Sequence, residues 1–509
     1  MIAFAWFMLM IWPVVGIVLF NKLSLPLACC VTVIGGYLIL PQGLGLDLPI
    51  LPELNKSSIP ALTALVLATL KILQNNHSSI VLKGWVPREP VTLLLLSMLV
   101  LGTFGTIYTN QDRLVFGPLV INGLKLYDGF SFLLEALIML LPFLLARRVF
   151  ATPEAQRVLL LTLIVSALVY TLPALWEIRL SPQLHRQIYG YFTGSFFQQL
   201  RAGGFRPVVF VGHGLGLSIF LSFAVLAAAG FYRTADMRAK AKWVMVTCWL
   251  FIVLVLTKSL GAVIIVVVLL PAVLFFSPRT QLLTATCIAG LVLTYPLLRA
   301  ADLVPVDRAM AFAESVSADR ARSLQVRLDN EEPLLERARQ RPVFGWGGYS
   351  RNRVFDAQGR NRSITDGSWV LEIGTGGWIR YLAVFGLLCW PIIGLFLSKR
   401  DRIDPTCTLL ALLLCGKLVD LIPNSGMVPY VWLMAGALAG RLEIKLADLK
   451  REGASQQVLI GRANPLGYAR RFGASSDPEA TEAADPALAA GPSGPQYTRA
   501  THKRHVRKK

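Results

Sequence analysis

The sequence predicts an all-α fold: a polytopic transmembrane helical bundle of about 12–13 spans, with one large, partly helical loop on its outer side. Three observations carry this reading. Only 16% of residues are charged and 54% are hydrophobic, against about a quarter charged in soluble domains. The apolar residues stand in runs such as "VTLLLLSMLVLGTFGTIY" and "GAVIIVVVLLPAVLFF", and a helix needs roughly 17–25 such residues to cross a bilayer. The polar connections between the runs alternate in charge, as the two sides of a membrane require.

Taken along the chain, hydropathy gives spans at 2–20, 24–41, 58–75, 91–108, 131–147, 157–176, 207–230, 243–258, 260–276, 281–299, 378–397, 406–422 and 427–441. The first run has neither a basic leading segment nor a small-residue cleavage site, so it reads as a retained helix and not as a signal peptide. "ARRVFATPEAQR", "YRTADMRAKAK", "SPR" and "SKRDRID" are short and basic and fall on one face, the cytoplasmic one by the positive-inside rule. "GLGLDLPILPEL" and residues 109–130, 177–206 and 300–377 fall on the other. The organisation is a membrane core over 1–299, a large outer loop over 300–377, the rest of the core over 378–441 and a cytoplasmic basic tail over 442–509. The tail is amphipathic up to about Gly473, then rich in Ala, Pro, Gly and acid, a composition that predicts disorder. Its basic end reads either as a contact for anionic lipid or as a solvated tail.

In a soluble chain the formal net charge of +20 would point to nucleic acid. Here the short-loop bias and the tail account for it, and no nucleic-acid partner is expected. The seven cysteines, Cys29, Cys30, Cys248, Cys287, Cys389, Cys407 and Cys415, lie in apolar runs without zinc spacing and read as small buried hydrophobes. No metal and no cofactor is expected. "EIGTGGW" lacks the Gly-Lys-Ser/Thr of a P-loop, and there is no dinucleotide fingerprint or nucleophile elbow.

The outer loop is far longer than an ordinary connection, and such loops are functional or disordered. "ESVSADRARSLQVRLDNEEPLLERARQRP" reads as a helix, with Leu324, Val326, Leu328, Leu334 and Leu335 spaced for one face and Pro342 as its stop. The turn "PVFGWGGYS" follows, set among arginines that include Arg322, Arg327, Arg341, Arg351 and Arg362. Guanidinium forks suit bidentate contacts to phosphate. Gly345, Gly347 and Gly348 allow close backbone approach, and Trp346 and Tyr349 offer flat faces to sugar rings. The pattern predicts an anionic, phosphate-bearing ligand, against the plainer reading of a solvated structural loop.

Four stretches resemble the O-antigen ligase and polysaccharide polymerase superfamily, bacterial inner-membrane glycosyltransferases: "RPVVFVGHGLGLSIFL", "LTKSLGAVIIVVVLL", "SLQVRLDNEEPLLERARQRPVFGWGGYS" and "TDGSWVLEIGTGGWIRYLAVFGLL". The resemblance covers roughly residues 200–400. It implies a periplasmic loop and a glycan carried on polyprenyl pyrophosphate. The chain has Lys258, Ser259 and Leu260 where the family junction usually carries arginine. Its loop has no histidine, where ligases place one, and this favours the polymerase branch.

The implied reaction breaks a sugar–pyrophosphate bond and passes the glycan to a hydroxyl. The leaving group needs preorganised cations: Arg327 and Lys258 first, with Arg201, Arg206, Arg322 and Arg341 in support. The acceptor hydroxyl needs a base, and Asp366 and Glu372 are the candidates. Each reads equally as a helix cap or as a salt-bridge partner of Arg362 or Arg380. His213, in a Gly212/Gly216 small-residue pattern, is either a substrate contact or hydrogen-bonded to a neighbouring helix. Lys417 and Asp420, three apart, should pair. The partners expected are the lipid-linked glycan, the bilayer and other polysaccharide assembly or export proteins. A ligase, a lipid-linked-glycan transporter and a non-catalytic assembly component are the alternatives.

Overall fold

The computed structural model describes residues 2–445 except 49–50, 75–79, 195, 202, 317 and 365. The tail, with its amphipathic, acidic and basic parts, lies outside the described residues. The helices are α1 (Ile2–Lys22), α2 (Leu25–Ile39), α3 (Ser58–Leu73), α4 (Pro90–Tyr108), α5 (Leu126–Val149), α6 (Pro153–Leu180), α7 (Leu184–Tyr189) and α8 (Gly214–Thr234). They continue as α9 (Met237–Leu256), α10 (Leu260–Phe275), α11 (Pro278–Ala300), α12 (Val306–Val316), α13 (Ala318–Arg339), α14 (Ser368–Leu397), α15 (Pro405–Asp420) and α16 (Pro429–Glu443). Three two-stranded hairpins sit in the connections: β1 (Gly45–Leu46) with β2 (Leu54–Asn55), β3 (Leu114–Phe116) with β4 (Leu119–Ile121), and β5 (Leu200–Arg201) with β6 (Gly204–Phe205).

The protein is an all-α polytopic membrane bundle. All helices but α7, α12 and α13 coincide with the expected spans. Eight of them, α1, α4, α5, α6, α8, α9, α11 and α14, are long and apolar enough to cross a membrane, while α2, α3 and α10 are shorter apolar helices. Helices α4, α6, α11, α15 and α16 open with proline, whose fixed φ suits the first helical position. Glu89, Thr152, Ser277 and Asp404 cap four of those N-termini through backbone N–H groups.

Helices α5 and α16 pack with their backbones in close contact. A Cβ on Gly436 would stand 2.2 Å from the Phe143 carbonyl oxygen, and one on Gly440 2.2 Å from that of Arg147. Small residues four apart let two backbones touch. Connections assigned to one face by charge do meet one another. At the basic end Arg147 pairs with Glu443 at 2.5 Å, Arg441 with Asp404 at 2.8 Å, and Arg148 Nε donates to the Leu82 carbonyl at 3.0 Å. At the loop end the Gln42 N–H donates to His185 Nε2 at 3.1 Å, and Arg341 pairs with Asp112 at 2.9 Å. Lys417 and Asp420 form the expected pair, at 2.7 Å and buried.

Four expectations are corrected. The span at 207–230 is helical only from Gly214, because Val209 (φ 52°) and Gly212 (φ 91°) take left-handed backbone. Side chains satisfy the unwound segment: Glu177 accepts the Val208 and Val209 N–H groups at 2.7 Å each, and Lys56 Nζ donates to the Phe210 carbonyl at 2.6 Å. The loop holds two helices, since α12 precedes the expected one, and α13 runs through Pro333 to end at Arg339, before Pro342. Cys248 and Cys287 are exposed on outer faces of their spans. Gly212 stands outside α8, so Gly212 and Gly216 do not form a helix-packing pair.

Helix α14 is broken at Gly377 (φ 66°, ψ −168°). The i→i−4 bonds that Trp378 and Ile379 would make to Gly374 and Thr375 are open, and the loop turn takes up all four groups. Trp378 and Ile379 donate to the Pro342 and Val343 carbonyls at 2.8 and 3.4 Å. The Gly374 and Thr375 carbonyls accept from the Trp346 and Gly347 N–H groups at 2.9 and 2.7 Å. No side chain fits between. A Cβ on Gly345 would lie 2.6 Å from the Gly376 nitrogen, and one on Gly377 2.2 Å from the Val343 oxygen.

Two outcomes are expected. Gly377→Ala lowers the apparent melting temperature in detergent, with about 1–3 kcal/mol lost to a positive-φ backbone region that only glycine adopts freely and more to the clash. Gly290→Ala, on α11 with nothing within 4 Å of the new methyl, is neutral or stabilising by up to about 1 kcal/mol. Burial pushes the Lys56 ammonium from its ordinary 10.5 down to about 7. The unfolded chain then gains a proton before the folded one as pH falls through that window, so this group lowers stability progressively from pH 10.5 to 7. Thermal scans of Lys56→Met should lack that slope relative to wild type.

Candidate functional site

The arginines around the glycine turn are spent on the fold. Arg351 is fully buried and donates to the carbonyls of Trp346, Asp112 and Asn122 at 3.2, 3.0 and 2.9 Å, and to the Asp112 carboxylate at 3.2 Å. Arg341 holds Asn110 Oδ1 at 2.7 Å and Asp112. Arg337 and Arg341 stand over the Trp346 ring, 3.3 and 4.1 Å from its centroid. Burial, with Arg341 and Arg351 nearby, pushes the Arg337 guanidinium down to about 10. Trp346 is itself buried and donates to the Arg337 carbonyl at 2.6 Å. This corrects the expectation that Trp346 shows a face to sugar: cations occupy it. Together these groups tie the β3–β4 hairpin and the end of α4 to the turn.

The turn docks on α4 as well. Thr106 Oγ donates to the Phe344 carbonyl at 2.7 Å and Asn110 Nδ2 to that of Gly345 at 2.9 Å. What remains open lies beside the break. A cavity of about 350 Å³ is enclosed by Thr103 and Thr106 of α4, Glu135 of α5, Gly348 and Tyr349 of the turn, and Arg380 of α14. A second cavity of about 360 Å³ adjoins it and shares Phe132, Glu135 and Tyr349. It is lined by polar Glu53, Asn55 and Ser57 and by apolar Ile138, Met139 and Trp432. Arg380 is held by Glu372 at 2.7 Å, whereas Glu135 is exposed and enters none of the ion pairs among the described residues. Tyr349 (φ 52°) and Ser350 (φ 66°) are both left-handed, and the Tyr349 ring lies 5.2 Å from that of Phe132. Non-glycine residues in this region are strained, and such strain gathers at functional sites. Burial and the Asp128 carboxylate raise the Tyr349 phenol above its usual range.

The residues singled out from sequence separate into three places. Arg380 and Tyr349 line the cleft, and Glu372 reaches it only through its pair with Arg380. Arg327 and Asp366 meet at 3.9 Å, half-exposed and too far apart for a hydrogen bond. Asp366 lies before the start of α14, on the other side of the Gly377 break from Arg380. Arg322, on α13, is exposed. The third group surrounds the β5–β6 hairpin. Lys258 (φ 58°) ends α9 with its Nζ against Gly204, and buried Arg206 packs its Cδ on Gly214. Arg201 lies in β5, and its side chain is outside the described residues. His213 is not buried: it is the exposed N-cap of α8, its Nδ1 accepting from the Leu215 N–H at 3.1 Å. Sequence reasoning missed Glu135, although a carboxylate within "FSFLLEALIMLLPFLL" is a signal by rarity alone. It also missed Lys56, which looked like any loop lysine.

Arg351→Lys keeps the charge but offers one point donor to a fork of acceptors. It should destabilise the protein by about 1–3 kcal/mol, read as a lower apparent melting temperature. No protein-family model matches the chain, and no curated protein sequence matches it.

Proposed function

We propose that the protein polymerises lipid-linked oligosaccharide, by glycosyl transfer from polyprenyl pyrophosphate in the cleft beside broken α14. The observation that carries this reading is the convergence of an available carboxylate, Glu135, and an oriented cation, Arg380, on one cavity at the loop end. The resemblance described above supplies the substrate class. The adjoining cavity, lined by both polar and apolar side chains, suits a polar headgroup on a lipid chain.

In this mechanism Glu135 takes the proton of the acceptor hydroxyl as that oxygen bonds to the anomeric carbon. The bond from that carbon to the pyrophosphate oxygen breaks, and the leaving group carries away the electron pair. Arg380 stabilises its growing charge, and Glu372 fixes the guanidinium without entering the chemistry. Thr103 and Thr106 offer hydroxyls to the sugar or phosphate. The loop end then faces the periplasm of a bacterial inner membrane, and the basic end faces the cytoplasm.

Glycan chain length in cells tests this. Glu135→Gln should cut polymerisation by about 10²–10⁴-fold, with single repeat units accumulating while the protein stays abundant in the membrane. Arg327→Ala and Asp366→Ala probe the surface pair. Full-length glycan from Glu135→Gln, with loss in the other two, would move the chemistry to that pair. Normal glycan in all three variants would remove the polymerase reading.

A further inference from the structure

A second surface at the loop end is independent of the cleft. Helix α11 has 23 residues, a rise of about 34 Å against a hydrocarbon core of about 30 Å. Its last turn therefore emerges at a membrane surface. The chain does not run off into water there. The Asp302 and Leu303 N–H groups donate back to the Arg299 and Leu298 carbonyls at 3.3 and 2.9 Å, and α12 starts at Val306. Arg299 also pins the middle of α13 to this point through Glu331, at 2.8 Å. The α12–α13 pair is thus held down on the end of the bundle.

Helix α12 has two apolar strips. Val306, Met310 and Ala313 are half-buried, and α12 packs on α13. Ala309 and Phe312 are exposed, Phe312 at 58%. This second strip continues an apolar track: Leu291 and Leu297 on the outward face of α11, then Leu303 in the link, are exposed at 56, 58 and 69%. Asp307 and Glu314 lie on the other side of the helix, Glu314 about 200° round from Phe312. A short helix whose exposed apolar strip faces away from Asp307 and Glu314 and is edged by Arg308, about 40° round from Phe312, and which starts where a span ends, has the pattern of an interfacial helix.

We propose that α12 lies in the membrane interface, with Ala309 and Phe312 seated in the lipid of the leaflet at the loop end. The seat continues the lipid-facing surface of α11 and holds α13 close to the headgroups. Arg308, one turn before Phe312, then stands at phosphate level.

Spin labels on the full chain in liposomes test this, in a background with exposed Cys248 and Cys287 replaced by alanine. Phe312→Cys and Ala309→Cys report the seated strip, and Glu314→Cys the opposite face. The expected result is collision with dissolved oxygen favoured over a water-soluble nickel chelate at 312 and 309, by several-fold relative to 314. Two outcomes overturn the proposal. Equal nickel access at all three sites means that the helix stands in water. Shielding of 312 and 309 from both oxygen and nickel means that protein, such as a second copy, covers the strip. Glycan chain length does not enter the readout, so failure here is separate from failure of the polymerase reading.

Discussion

Two open hydrogen bonds in the middle of a span hold the loop end together. Backbone polar groups inside a bundle must be paired, since no water is at hand to take them. When Gly377 turns left-handed, the N–H groups of Trp378 and Ile379 and the carbonyls of Gly374 and Thr375 lose each other. The loop turn Pro342–Gly347 satisfies all four, and it can come close enough only without side chains. The glycines on both sides follow from that spacing. So does the position of Phe344, pressed on Gly105 of α4. The outer loop is thus stitched into the membrane core and is no appended domain.

The same constraint explains the arginine ring. A turn pulled down onto a helix break leaves its outer side to be covered, and Trp346 covers it with Arg337 and Arg341 over its ring. Arg351 then satisfies carbonyls of three separate segments at once, which suits a planar five-donor group better than an ammonium. Cations used this way are desolvated and committed. Glu135 and Arg380, which the turn does not consume, border the cavity it leaves against α4 and α5.

The bilayer sets a second constraint, visible in how the ends of the bundle are tied. Each end knits its own connections: arginine with glutamate and carbonyls at the basic end, and lysine with a carbonyl, histidine with a backbone N–H and arginine with Asp112 at the loop end. Long loops at such an end either rise into water or lie flat. The backward hydrogen bonds of Asp302 and Leu303 and the Arg299–Glu331 pair make this loop lie flat.

The run lengths of apolar residues and the alternation of charge determined the bundle, its spans and its two ends, because crossing a bilayer demands local properties of the chain. The proline and Ser, Thr or Asp starts of helices were equally local. The start of α8 escaped that logic. Hydropathy cannot show that Glu177 and Lys56, far away in sequence, satisfy an unwound Val208–Phe210. The cleft escaped it too. Glu372 read equally as a cap or as a partner of Arg362 or Arg380, and Glu135 comes to the same cavity only because α5 and α14 both pack on α4. Trp346 and the loop arginines looked equally fit for ligand or for structure in the sequence. Tertiary contact decided between the two, because a guanidinium's role depends on which acceptors reach it, and those of Arg351 come, beside nearby Trp346, from Asp112 and Asn122, distant segments that only the fold brings within 3.2 Å.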